Sequence, residues 1–219
     1  MDLSQFSPGS ALVTVILLAL APFVAVMVTS FTKIVVVLSL LRNALGLQQV
    51  PPNIVLNGMA LILTLYVMFP VGQKMAEATD NMPPTAALSD TQQLFSYANQ
   101  AKEPLREFLI KHSSDRERAF FLRTAQRISA PEKRAEITGR DFLVVVPAFT
   151  VSELATAFQI GFLIFLPFLI IDLVVSNILL AMGMMMLSPT TVSLPFKLLL
   201  FVLIDGWVKL AHGLVLSYV

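Results

Sequence analysis

VPAFTVSELATAFQIGFLIFLPFLIIDLVVSNILLAMGMMMLSP, residues 146–189, decides the fold. It lies in an apolar block, 142–187, that only Pro147, Glu153, Pro167 and Asp172 interrupt. A run so long and so poor in charge reads as membrane-type helix, since lipid leaves backbone amides no partner but their own helix. After Ser188 and Pro189 a further apolar stretch, 192–219, follows, so residues 142–219 are read as C-terminal hydrophobic hairpins with a methionine-rich segment between them.

Upstream the chain changes character. Residues 74–141 hold 11 of the 15 Lys/Arg and 10 of the 14 Asp/Glu. Ser89 to Gln92 and Ser114 to Glu117 have capping-box form, in which a hydroxyl and a carboxylate or amide satisfy orphan amides at a helix start. Leu94, Tyr97, Ala98 and Ala101, then Phe120, Phe121, Thr124 and Ile128, recur at helical spacing among charges. The segment is therefore expected to be a polar insert of amphipathic helices.

Further upstream, residues 11–41 are apolar except for Thr, Ser, Pro22 and Lys33. At about 1.5 Å per residue that run exceeds the roughly 30 Å hydrocarbon core, and Pro22 is the expected kink. Arg42 and Asn43 end it, and a loop with Pro51 and Pro52 leads to a second apolar stretch at 54–71. Residues 1–73 are read as an N-terminal hydrophobic hairpin. The expected fold is an all-α membrane protein, with about four long apolar helical blocks in bent hairpins and one soluble helical insert.

Composition agrees: 56% of residues are hydrophobic, 13% are charged and the mean hydropathy is +0.79, against roughly a quarter charged in soluble domains. A net charge of +1 gives no nucleic-acid signature. The absence of cysteine excludes disulfides and thiolate metal sites. Arg42 and Lys197 flank the short connections, which orients those turns to the cytoplasm and places the insert and both termini outside; an insert this long translocates largely regardless of its own charge. Ala19-Leu20-Ala21 has the form of a signal-peptide cleavage site, but the ten residues before the apolar run contain Asp2 and no Lys or Arg, so a cleaved leader is not expected.

No catalytic constellation emerges. His112 and His212 have no partner at metal-ligand spacing, and neither a Gly-rich phosphate loop nor a GxSxG elbow is present. The reading is a non-enzyme without metal or cofactor. The informative residues are charges inside apolar blocks: Lys33, Glu153, Asp172, Lys197, Asp205 and Lys209. Such groups cost roughly 2.5–3.5 kcal/mol each at mid-membrane and need partners or water. Asp172 falls near the face carrying Phe158, Phe162 and Phe165, a face that should contact protein. Lys197 and Lys209 are its natural partners, Lys197 being favoured, which gives a structural ion pair. The alternative is a secondary transporter or proton channel that relays protons through Asp172, Asp205 and Glu153. Gly58, Gly161, Gly183 and Gly206 permit close helix approach. In Met182-Gly183-Met184-Met185-Met186, flexible thioethers face all sides, as packing or as a deformable seal around a pore.

The 146–189 stretch, SLPFKLLLFVLIDGW at 193–207 and SFTKIVVVLSLLRNALGLQQVPPN at 30–53 resemble the FliP/SctR family of type III export gates. The resemblance implies five copies in a helical ring with SctS/FliQ-like and SctT/FliR-like subunits, a core projecting to the periplasmic side of the bacterial inner membrane, and unfolded secreted polypeptides as cargo. It implies that Met184, Met185 and Met186 form a methionine gasket. It also implies that the apolar blocks can bury against neighbouring subunits as well as lipid, with Pro22 and Pro167 as bends. Without a basic leader, the start MDLSQFSPGS points to the virulence injectisome branch over the flagellar one.

Overall fold

The computed structural model describes residues 15–16, 19–20, 22–23, 25–80 and 91–219, with side chains outside 79–99. Its elements are helical throughout: α1 Phe31–Ala44, α2 Asn53–Asp80, α3 Thr91–Lys111, α4 Asp115–Ile128, a 3-10 turn at Pro131–Lys133, α5 Phe142–Ala181, α6 Pro189–Leu203 and α7 Gly206–Leu216. Two described helices, α2 and α5, are long and apolar enough to cross a membrane; α6 and α7, bent by 60°, make a third if counted together.

α1 is the central post. Ile34, Val37, Leu38, Leu41 and Ala44 recur at three and four residues, and all are buried. They meet Leu56 and Ala60 of α2, Ala157 and Phe168 of α5, Phe201 of α6 and Leu214 of α7 in two successive clusters. A third cluster, of Val67, Phe108, Leu109, Val145, Phe149 and Tyr218, fastens α3 to the end of α2 and the start of α5. The charged middle of the chain is thus packed onto the apolar helices, and α2 runs unbroken across residues 73 and 74 to Asp80.

Among the described residues, no helix break falls at Pro147 or Pro167. α5 continues through Pro147 and Pro167. Each proline removes one amide bond, and a helix otherwise held by packing runs on without a break. Pro22 is itself helical, while residues 21 and 24 lie outside the described residues; the described interruption of the first apolar run falls at Thr29–Ser30. There Thr29 Oγ1 donates to the Ala25 carbonyl at 2.6 Å and Thr32 Oγ1 to the Val26 carbonyl at 2.8 Å, so hydroxyls satisfy the carbonyls that the break frees. The bend between α6 and α7 falls at Asp205, whose φ is 52°, and Gly206, where a Cβ would stand 2.1 Å from the Phe201 ring.

Other expectations also change. Ser114 precedes α4 but makes no side-chain cap bond; its own N–H donates to Ser152 Oγ at 2.9 Å, so the box with Glu117 is not closed. On α4 the buried residue is Ala125, with Phe121 and Leu122 half-buried, whereas Phe120 and Ile128 are exposed. The small Ala125 side chain lets α4 lie close to α5. Ser89 and the side chains of Gln92, Leu94, Tyr97 and Ala98 lie outside the described residues. Of the four glycines, Gly161 faces Leu40 and Gly206 faces Phe201 closely, Gly58 faces open space, and Gly183 makes a turn.

Candidate functional site

α5 ends in a Schellman motif that the sequence Leu-Leu-Ala-Met-Gly-Met dictates. Gly183 takes φ 73°, its N–H donates to the Leu180 carbonyl at 3.0 Å, and Met184 N–H reaches back to the Leu179 carbonyl at 2.9 Å. Pro189 then opens α6, its missing amide being one that a first turn leaves unbonded anyway. Glycine stops one helix, proline starts the next, and three methionines fill the turn between them. Met184 is 41% exposed, Met185 81% and Met186 99%. Among the described residues little covers Met185 and Met186, and the hairpin walls just below, Ile170, Val174 and Ile178, are exposed too.

The hairpin is clamped well below its tip. Asp172 lies nine residues before Ala181, about 14 Å along the helix, and its Oδ2 accepts from Lys197 Nζ at 2.6 Å. Its Oδ1 accepts from Ser193 Oγ at 2.5 Å. Ser193 and Lys197 are one turn apart on α6, so one carboxylate is gripped by one helical face. Lys197 Nζ also donates to the Ala44 carbonyl at 3.3 Å, at the end of α1, where unpaired carbonyls and the helix dipole attract a cation. That end is a second Schellman turn: Gly46 has φ 78°, and Leu47 N–H donates to the Arg42 carbonyl at 3.2 Å. Lys197 therefore ties the hairpin to the central post. Phe158, Phe162 and Phe165 stay exposed on α5, so within the subunit their face is not the one that meets protein.

The second buried cluster joins residues distant in sequence. Lys33 on α1 and Glu153 on α5 approach to 3.2 Å with side chains 3% and 4% exposed. Tyr218, beyond α7, donates its hydroxyl to the other oxygen of Glu153. Its ring lies 3.6 Å beneath Lys33 Nζ, so the ammonium has a carboxylate and an aromatic face in place of water. Phe108 stacks on Tyr218 at 5.9 Å and His112 meets it edge-on at 5.0 Å. Sequence reasoning left Lys33 and Glu153 unpaired and passed over Tyr218. The one available signal was its place after an apolar helix, since a buried tyrosine hydroxyl requires a partner.

Asp205 and Lys209 are exposed at the α6–α7 bend, joined through the backbone by Lys209 N–H to the Asp205 carbonyl at 3.0 Å. A proton relay gains little from this layout. Glu153 and Asp172 stand about 28 Å apart along α5, and each already holds a lysine.

Residues 13–214 match the FliP family. The chain is 55% identical over 207 residues to the pathogenicity-related ORF2 of Xanthomonas campestris pv. glycines, covering 94% of this chain and 95% of that protein. It is 50% identical over 210 residues to the hypersensitivity response secretion protein HrcR of Ralstonia nicotianae, covering 96% and 97%. It is 51% identical over 205 residues to the Yop proteins translocation protein R of Yersinia pestis, covering 92% of each. With the match running through α1 to α7, the chain belongs to the FliP family.

Proposed function

We propose that the chain is a core subunit of the export gate of an injectisome-type type III secretion system. Five copies join SctS- and SctT-like subunits in a helical ring that conducts unfolded polypeptides across the bacterial inner membrane. Met184, Met185 and Met186 seal the resting channel, and Asp172 with Lys197 holds the hairpin that presents them. The insert, 74–141, lies on the periplasmic side. No chemical step or cofactor is needed; the energy comes from partners.

The observation that carries this reading is the uncovered hairpin. α5 has 40 residues, about 60 Å at the helical rise, twice the hydrocarbon thickness. Its apolar surface is therefore longer than lipid alone can cover, and neighbouring subunits supply the remaining cover. At its tip, soft unbranched side chains dewet when the channel is empty and reshape around varied polypeptides. The names of two relatives, a hypersensitivity response secretion protein and a Yop proteins translocation protein, agree with protein cargo.

Changing Met184, Met185 and Met186 together to alanine should raise ion conductance of the assembled gate in a planar bilayer while leaving assembly intact. Unchanged conductance in assembled complexes would reduce the trio to packing. For the clamp, Asp172→Ala leaves the Lys197 ammonium without its carboxylate at a cost of about 1–3 kcal/mol. Less complex should therefore co-purify than with the double change Asp172→Ala and Lys197→Ala; equal yields count against direct pairing.

A further inference from the structure

The place to look beyond the gate is the far end of α2. Asn53, at its start, accepts from the Arg42 guanidinium at 2.6 Å. Lys74 follows 21 residues later, about 32 Å along the helix, one hydrocarbon thickness away. Both ends of this span thus carry a basic side chain at the level where lipid headgroups lie. Between them, Leu61, Ile62, Leu65, Tyr66 and Phe69 are exposed, and a tyrosine near the lysine end suits the interface.

At that level the chain forms two adjoining clefts, of about 300 and 450 Å³, which share Val67, Pro70, Lys111 and Tyr218. The first is walled by Lys74 on one side and by Glu107, Lys111 and His112 on the other. The second opens along Tyr66 and Phe69. Lys74 is exposed and has no hydrogen-bond or ion-pair partner among the described residues. Lys111 Nζ gives one bond, 3.1 Å, to the Val219 carbonyl, leaving two of its three donors. Burial first, then the charges of Lys111 and Lys33, hold the His112 imidazole down at about 4, so at neutral pH it is an uncharged hydrogen-bonding group. Two lysines against one carboxylate leave the mouth cationic beside an apolar wall.

We propose that this cleft binds the phosphate of an anionic phospholipid between Lys74 and Lys111, with the acyl chains lying along Tyr66, Phe69 and Ile62 of α2. Basic pockets between membrane helices bind anionic headgroups on the cytoplasmic side; the same chemistry stands here at the opposite end of α2, and the two-part cleft matches a charged head joined to apolar tails. Glu107 opposes the phosphate and limits affinity. The site depends on α2 lying in the bilayer and stands apart from the secretion role.

The test is native mass spectrometry of the full chain in neutral detergent, titrated with dioleoylphosphatidylglycerol, dioleoylphosphatidylcholine or inorganic phosphate. Phosphatidylglycerol should bind at least fivefold more tightly than phosphatidylcholine. Lys74→Gln should lose about fivefold, the increment expected of one basic residue at a lipid surface. Lys74→Arg should keep the preference and Glu107→Gln should increase it. The Lys74 side chain has no hydrogen-bond or ion-pair partner among the described residues, so its replacements leave the fold alone, as circular dichroism would register. Equal binding of the two lipids, a preference that survives Lys74→Gln, or a loss that arginine does not restore would each overturn the proposal. So would displacement of the lipid by millimolar inorganic phosphate, which would make this a free-phosphate site.

Discussion

Glu153→Ala should lower the stability of the folded chain by about 3–5 kcal/mol, the cost of leaving a buried ammonium without its counter-charge. Lys33 has nowhere to go: its side chain is 3% exposed, and among the described residues the face of Tyr218 is its other partner for charge. Tyr218→Phe should cost less, about 1.5–3 kcal/mol, because only the hydroxyl's bond to the carboxylate is lost. The triple change Lys33→Met, Glu153→Leu and Tyr218→Phe removes every polar partner together and should recover most of the loss, as replacing whole buried ion pairs by apolar side chains does. Thermal unfolding of the purified chain in detergent measures all three. A triple variant no more stable than Glu153→Ala alone would show that these groups do not act as one unit.

The second large effect is steric. A Cβ on Gly161 would stand 2.2 Å from Leu40 Cδ1, 3.1 Å from Leu40 Cβ and 3.2 Å from Leu40 Cγ. The methyl end of Leu40 can swing aside; its Cβ moves only with α1. Gly161→Val should therefore destabilise the chain by about 1–3 kcal/mol through overpacking. Because α1 and α5 form the main helix contact, assembly should suffer with it. Leu40→Ala in the same chain opens the space and should make the two changes strongly non-additive. Additive melting shifts would mean that the helices separate at no cost and that the close approach is not a constraint.

Helical character and apolar blocks were legible because charge density and hydropathy are properties of segments. So was a methionine-rich segment between the hairpins, although Gly183 was read as a close-approach glycine and in the structure stops α5 at positive φ. Lys197 was nominated as the partner of Asp172 for a local reason, since both sit on helices joined by one short turn. The helix breaks were less legible. Proline marks where one bond is lost, but Thr29 and Thr32, which satisfy freed carbonyls, and the Phe201 ring against Gly206 decide where the chain turns.

The sequence by itself determined which stretches become helices, which of them shun water, and where the turn of thioethers stands. Only the tertiary structure decided that Lys33, Glu153 and Tyr218 meet, that Lys74 and Lys111 face one cleft, and that one side of the α5–α6 hairpin stays bare. Periodicity specifies the face a residue occupies on its own helix. The neighbour it meets depends on how several helices cross, which is set by small residues such as Gly161 and Ala157 and by the collective need of buried charges for one another.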